Sequence, residues 1–328
     1  MIAYTIRRLI AAIPVLFAAS FIVFWLASML GDPVRTKFGG RNPPVPQSTY
    51  EHEYARLHLK EGFFAQYWRW ISGLVRGDFG PSVVNDTTNI GHDISGRLLV
   101  TLRLVFFAML LALILAVITG VLSAVKQYSK TDYFFTLLGF VFVSMPAFWI
   151  AVLLKQGAIA VNDATGYRFF STIGERSADP LPGTWNAVVD IAGHLVLPTI
   201  SLAFITYATW SRFQRASMLE VLNSDYIRLA RAKGLSPRKV LIRHALRTAL
   251  IPMTTVSALG IAAVLGGAII TETVFQWNGM GQYLVQAIGN FDKNAITGWL
   301  IVSGFIVVLG NLIADLLYGV LDPRIRYE

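Results

Sequence analysis

Few residues in this chain are placed to do covalent chemistry. There is no G-x-x-x-x-G-K-S/T loop to cradle a nucleotide phosphate, no H-E-x-x-H zinc pair and no G-x-S-x-G nucleophile elbow. There is no cysteine, which excludes a disulfide framework, a thiol nucleophile and a Cys-ligated metal. The five histidines are His52, His58, His92, His194 and His244, and none has a partner at metal-site spacing. The remaining candidates are ionisable groups inside apolar runs, since a charge at membrane depth is costly and usually functional. There are four: Arg103, Lys155, Glu272 and Asp315. Arg103, Lys155 and Asp315 lie toward the ends of their runs and Glu272 just past the end of its own, so each can reach an interface by position or snorkelling. No carboxylate sits mid-run, which argues against a proton- or sodium-coupled carrier, whose coupling site lies at the midplane.

The second concentration of functional residue types is the basic stretch SRFQRASMLEVLNSDYIRLARAKGLSPRKVLIRHALRTALIP. Ser224 is a suitable N-cap, with Asp225 at the positive end of the helix dipole. Tyr226–Lys233 holds no Gly or Pro, and Gly234 suits the position just past a helix end. Ser236 then caps a second helix with Pro237 at its first position. So short a helix is marginal alone and needs a surface to lean on. Tyr226, Ile227, Leu229 and Ala230 offer it an apolar side, and Arg228, Arg231 and Lys233 offer basic contacts. From the residues alone, this is either a docking helix for a protein partner or a basic loop on anionic lipid.

The elements that position these residues are membrane spans. The 328 residues are 55% hydrophobic and only 14% charged, with mean hydropathy +0.56. A soluble domain carries about 25% charged residues. Six apolar runs are long enough to cross a bilayer: Leu9–Leu30, Leu98–Val125, Phe134–Ile159, Ile191–Trp210, Ala249–Ile270 and Ala295–Tyr318. The first follows Arg7 and Arg8 but outruns a signal-peptide core and ends in no cleavage pattern, so it reads as a retained helix. Six spans put both termini on one side. That side carries 15 Lys and Arg against five acids, whereas the loops Val161–Asp190 and Gln276–Asn294 hold only Arg168, Arg176 and Lys293. Both termini are therefore expected to be cytoplasmic, and the net charge of +9 reflects cytoplasmic loops rather than nucleic-acid binding. The expected organisation is 1–30 for the tail and first span, 31–97 for an external segment, and 98–328 for the core with its cytoplasmic loop at 211–248. Within the external segment, Phe63, Phe64, Tyr67, Trp68 and Trp70 mark an interfacial helix around Phe63–Val75.

The loop resembles the EAA-type coupling loop of ABC importer permeases, which docks into a cleft of the ATP-binding subunit. RASMLEVLNSDYIRLARAKGL is similar to the peptide/nickel branch in particular. RRLIAAIPVL and GDP, YWRWISGLVRGDFG, TLRL, SMPAFW, GGAIITETVFQWNGMGQ and LDPRIRY agree with that branch in the same order. The likeness covers essentially the whole chain and is greatest to the first permease subunit of oligopeptide or dipeptide importers. There are departures. Arg228-Leu229-Ala230 stands where the broad motif has Glu-Ala-Ala, and the first Pro after that second helix starts is Pro252. Asn278 replaces an expected Pro, and Lys155-Gln156 replaces aliphatic residues.

The resemblance implies an all-α, six-span type I importer permease with a long external segment after span one. It implies a non-catalytic subunit in a bacterial plasma membrane that works by alternating access. The implied partners are a second homologous permease, ATP-binding subunits that hold ATP and Mg, and an extracytoplasmic substrate-binding protein. No cofactor is expected on this chain. Asp225, Tyr226, Arg228, Leu229, Ala230, Arg231, Ala232, Lys233, Gly234, Leu235 and Ser236 would contact the ATPase. The path would run between the two permeases, lined from spans three and five by Ser144, Met145, Pro146, Trp149, Lys155, Thr254, Thr255, Ser257 and Glu272. Pro146 can kink span three, while Ala262, Gly266 and Gly267 read as helix-packing positions. Peptide is the expected cargo, with haem or nickel the alternatives within the family. An ion-coupled carrier, which predicts a midplane charge and an internal repeat, and a membrane scaffold are the readings outside it.

Overall fold

The computed structural model describes residues 2–179 and 181–321. The chain is helical: α1 (Ile2–Ser28), α2 (Pro33–Phe38), α3 (Gln47–Arg56), α4 (Phe63–Leu74), α5 (Ile90–Val125), α6 (Lys130–Ser144), α7 (Ala147–Thr165), α8 (Thr184–Leu222), α9 (Asp225–Ala232), α10 (Pro237–Lys239), a π-helical stretch Val240–Leu246, α11 (Arg247–Phe275), α12 (Met280–Gly289) and α13 (Lys293–Leu321). α1, α5, α8 and α13 each contain an unbroken segment long and apolar enough to cross a membrane, and α6 with α7 passes the same test as a bent pair. The 29-residue α11 covers the expected fifth run, Ala249–Ile270, but among the described residues only its shorter stretch Val264–Phe275 registers as apolar, so four helices, or five with the bent pair, pass that test rather than six. α8, at 39 residues, is about 58 Å long and outruns a hydrocarbon core of about 30 Å. Its first turn lies in what the sequence reads as the loop Val161–Asp190.

The helices fall into two compact units. The first holds Met1–Thr101 and Asn278–Leu309. Here α4 divides the five aromatics expected on it. Tyr67 and Trp70 are buried and, with Phe63, pack on Phe21 and Phe24 of α1, while Phe64 and Trp68 stay exposed. The Ser20 and Tyr67 hydroxyls share a hydrogen bond of 2.9 Å across this contact. Asp32 caps α2 by accepting from the Val34 and Arg35 amides, and the Tyr54 hydroxyl donates to the same carboxylate. Glu53 is buried between Lys37 (2.6 Å) and Arg56 (2.7 Å), and these cations hold its carboxyl down at about 2. Asp292, also buried, accepts from Ser82 Oγ and the Val83 amide at 2.8 Å and from the Ala295 amide at 3.1 Å. It thus ties the segment before α5 to the start of α13. Burial pushes its carboxyl above the usual range, against the pull of these donors.

The second unit holds Leu102–Trp277 and the chain from Gly310 onward. α5 has two faces set four residues apart. Phe106, Leu110, Ile114, Ile118 and Leu122 are exposed, whereas Leu104, Ala108, Ala112 and Ala116 are buried. The small face continues to Gly120, where a Cβ would stand 2.9 Å from Gln214 and from the Ser211 carbonyl of α8. Without a hydrophobic drive between helices in lipid, such small residues allow backbones to approach closely. Gly260 does the same on α11, facing Trp210. Gly266, expected to be a packing position, faces open space, and the Ala262 and Gly267 side chains lie outside the described residues. The Asp315 side chain and the LDPRIRY end beyond Leu321 also lie outside them.

Span three is broken rather than kinked. α6 and α7 meet at 106°, with Met145 and Pro146 both extended (ψ 132° and 142°). Proline drives its predecessor out of the α region and cannot donate to the preceding turn, so two helices replace the single one expected over Phe134–Ile159. The Met145 amide still closes α6 on Val141, and Pro146 starts α7 by accepting from the Trp149 amide at 2.9 Å.

Candidate functional site

The stretch between α8 and α11 holds two short helices, α9 and α10, and the π-helical residues Val240–Leu246. α8 ends at Leu222, and the Asn223 and Ser224 amides return to the Leu219 and Val221 carbonyls. Ser224 takes the extended N-cap conformation, and its carbonyl accepts the first helical bond from Arg228 at 3.2 Å. Its hydroxyl, however, donates back to the Val221 carbonyl at 2.6 Å and does not cap α9 as expected. Gly234 closes the helix in the left-handed region at φ +75°, donating to the Arg231 carbonyl at 2.9 Å. Ser236 and Pro237 start α10 as the sequence indicates, although the Ser236 hydroxyl makes no cap bond either. The backbone then stays helical into α11, but through seven π-helical residues, Val240–Leu246.

The surface that supports α9 is its own bundle. Ile227 (0% exposed) and Ala230 are buried against Ala124, Met218, Val240, Ala245 and Ala249. Full burial of the Ile227 side chain contributes about 1.5–3 kcal/mol to an eight-residue helix that would be marginal alone. The four apolar residues on α9 therefore do not share one face. Ile227 and Ala230 point inward, whereas Tyr226 (44%) and Leu229 (56%) point out. Asp225, Arg228, Arg231, Ala232, Lys233, Gly234 and Ser236 are exposed with them, and Leu235 is half-buried. Of the expected contact residues, Ala230 is the one turned inward, so its role is to hold the helix. The Asp225–Arg228 pair, 3.4 Å apart and largely exposed, adds little stability. What remains outward is two apolar side chains beside Arg228, Arg231 and Lys233, on a helix held from behind by Ile227 and Ala230.

A second feature of this end went unread in the sequence. Asp132, buried at the start of α6, receives Arg215 Nε and Nη2 of α8 at 2.7 Å each, together with the Tyr128 amide at 3.0 Å. Both residues register in the sequence only as topology charges, and 83 positions separate them.

The expected path residues spread over α7, the α6–α7 break and α11. Ser144 and Trp149 are exposed, and the Ser144 hydroxyl donates to the Phe140 carbonyl at 2.8 Å. Met145 and Pro146 form the break. Thr255 is exposed, while Thr254 and Ser257 donate to carbonyls of their own helix, Ile251 and Thr254. Lys155 has a structural engagement: its Nζ donates to the Val274 carbonyl at 2.8 Å. It completes a set, because the last carbonyls of a helix have no intrahelical partner. Trp277 N–H bonds the Glu272 carbonyl, Gln276 N–H that of Thr273, Lys155 that of Val274, and Gly174 N–H that of Phe275. The Glu272 side chain is fully buried in this cap, and Arg103 stacks over the Trp277 ring at 5.6 Å.

Comparisons with known proteins agree over the whole chain. Residues 112–327 match a family model described as binding-protein-dependent transport system inner membrane component, and residues 1–92 match the N-terminal model of the same system. The oligopeptide transport system permease protein OppB of Mycobacterium tuberculosis is 38% identical over 326 residues, covering 99% of both chains. AppB of Bacillus subtilis, with the same description, is 37% identical over all of both chains. The dipeptide transport system permease protein DppB of Escherichia coli K12 is 34% identical, again over all of both. Among solved structures, an inward-facing form of the MetNI methionine ABC transporter superposes with a TM-score of 0.55 at 17% identity. It covers 70% of this chain and 96% of that one, a likeness of fold.

Proposed function

The chain belongs to the family of binding-protein-dependent transport system inner membrane components, and from that premise we propose that it is a permease subunit of an ATP-driven importer that moves peptides into the cytoplasm by alternating access. The observation that carries the coupling role is α9, locked to the bundle through Ile227 and Ala230 while Tyr226 and Leu229 stay outward. On the basic-residue count the stretch between α8 and α11 and both termini are cytoplasmic, and residues 31–97 lie outside. An ATP-binding subunit then receives α9, holding ATP and Mg itself. A second permease completes the path and an extracytoplasmic binding protein delivers the peptide. When the ATPase pair closes, α9 is drawn with it. The buried Ile227 contact and the helix from α10 into α11 pass that displacement to the spans. The path runs along the α6–α7 break and α11, where Ser144, Met145, Pro146, Trp149, Thr254, Thr255 and Ser257 give mild polarity without a fixed charge. Lys155 and Glu272, engaged at the end of α11, shape its outer end.

The test uses the assembled importer in proteoliposomes, with wild type compared with Gly234→Pro. Proline cannot adopt φ +75° and removes the N–H that bonds Arg231. The variant should assemble, and its peptide-stimulated ATP hydrolysis and peptide uptake should fall together at least tenfold. If both survive, α9 is a topology signal and not the coupling element.

A further inference from the structure

The first unit contains a cavity of about 250 Å3 that none of the transport roles above uses. Lys293, at the first position of α13, lines it with Gln66, Arg69 and Trp70. The Lys293 ammonium is held over the Phe24 ring at 5.3 Å and donates to the Gln66 side-chain carbonyl. That carbonyl is fixed in turn, because Gln66 Nε2 donates to the Glu61 carbonyl at 2.6 Å. Among the described residues, no carboxylate lies within ion-pair distance of Lys293; its direct partner is a neutral amide, while Asp292 and Glu61 act on it from farther away. Three donors on one ammonium leave capacity for an anionic acceptor. Trp70 is 4% exposed and its indole N–H has no acceptor. Asp78, the acid on the wall, already accepts from the Gly80 amide. His58 and Asn294 add two more polar side chains, and Phe24, Leu57 and Pro81 supply the apolar part of the wall.

We infer that this cavity binds the C-terminal carboxylate of a short peptide, the carboxylate meeting the Lys293 ammonium and Trp70 N–H while the last side chain lies against Phe24 and Leu57. This inference rests on the peptide-import reading above. The sign of the wall favours the C-terminus, because Lys293 and Arg69 stand there against one acid, Asp78. The size limits the occupant to the end of a peptide, being under the roughly 300 Å3 at which ligand pockets begin.

Trialanine and trialanine amide, which lacks the charge, are titrated by calorimetry into the assembled importer without its binding protein, in phosphatidylcholine nanodiscs. Peptide uptake is measured in parallel on the complete system. Wild type should bind trialanine at least tenfold more tightly than the amide. Lys293→Met should abolish that preference, and Gln66→Glu, which supplies an internal carboxylate to the ammonium, should do the same without removing the cation. Trp70→Phe should weaken acid binding several-fold and leave the amide unchanged. Equal binding of acid and amide by wild type, no heat from either, or an acid preference that survives in both Lys293→Met and Gln66→Glu would overturn the inference. If uptake is intact in those cases, peptide import stands and only the cavity site fails; loss of peptide uptake by wild type itself overturns the import reading.

Discussion

Asp132 and Arg215 meet in a bidentate ion pair, two N–O contacts of 2.7 Å each, that fastens the start of α6 to α8 seven residues before α8 ends. The Asp132 carboxylate is buried while Arg215 is partly open, so the pair is asymmetric in what its loss would cost. Removing Asp132 strands a guanidinium that has other access to water; removing Arg215 strands a buried carboxylate. Breaking a buried pair costs about 3–5 kcal/mol, with the upper end expected for the variant that leaves Asp132 alone. Arg215→Met should therefore lower the melting temperature of the purified importer more than Asp132→Asn. Asp132→Leu combined with Arg215→Met should recover much of the loss, giving a clear coupling energy in the double-mutant cycle.

The two sides of α9 should answer differently to the same charge. Ile227→Asp places a carboxylate among Met218, Val240 and Ala249 and should prevent stable accumulation of the chain, because an unpaired buried charge has no compensation there. Leu229→Asp lands on an exposed position and should leave melting temperature within a degree or two of wild type while peptide-stimulated ATP hydrolysis falls at least tenfold. Equal stability of both variants would show that the inward and outward faces are misassigned.

Gly234 isolates backbone strain from packing. A Cβ there meets nothing within 4 Å, yet φ is +75°. Gly234→Ala should thus cost about 1–2 kcal/mol of local helix stability from conformation alone. Gly234→Asn, which tolerates the left-handed region better, should cost less. Amide exchange across Asp225–Lys233 would read both, and faster exchange in the Ala variant than in the Asn variant is expected.

Glu53 sets an acid limit on the first unit. Its carboxyl sits at about 2 in the folded chain against 4.5 unpaired. A lowered value means that folding favours the charged form. The contribution is complete above pH 4.5 and is lost as pH falls toward 2. At 1.36 kcal/mol per unit it amounts to about 3 kcal/mol. Glu53→Gln should destabilise the chain at pH 7 and flatten the dependence of melting temperature on pH between 4.5 and 2.5. A wild-type profile already flat across that window would contradict the Lys37–Glu53–Arg56 assignment.

What the sequence discloses here follows the range over which its signals act. The spans are legible because about 20 apolar residues in a row have one physical use. The ends of α9 are legible because Gly234 and Pro237 restrict the backbone locally. Which way α9 faces is not, since Tyr226, Ile227, Leu229 and Ala230 are all compatible with burial in so short a helix. The choice is made by Met218 and Ala249, which belong to other helices. Ser224 misleads for a related reason: its hydroxyl has two acceptable partners, and it donates to the Val221 carbonyl at the end of α8 rather than accepting from an α9 amide. Pro146 announces a disturbance without giving its angle, because 106° depends on what α6 and α7 pack against. Lys155 reads as a charge near a span end, yet its partner is a carbonyl 119 positions away.

The central claim is that the outward face of α9 touches the ATP-binding subunit. The chain has no cysteine, so a single Leu229→Cys or Ile227→Cys substitution gives a unique attachment point on this subunit, to be used with cysteine-free partner subunits. The measurement is cross-linking of each variant, in the active importer assembly, by a short thiol-reactive reagent with a photoactivatable second arm. Leu229→Cys should yield a covalent adduct with the ATP-binding subunit in high yield, and Ile227→Cys should react poorly and give none. An assembly that hydrolyses ATP and imports peptide while Leu229→Cys forms no such adduct would contradict the account.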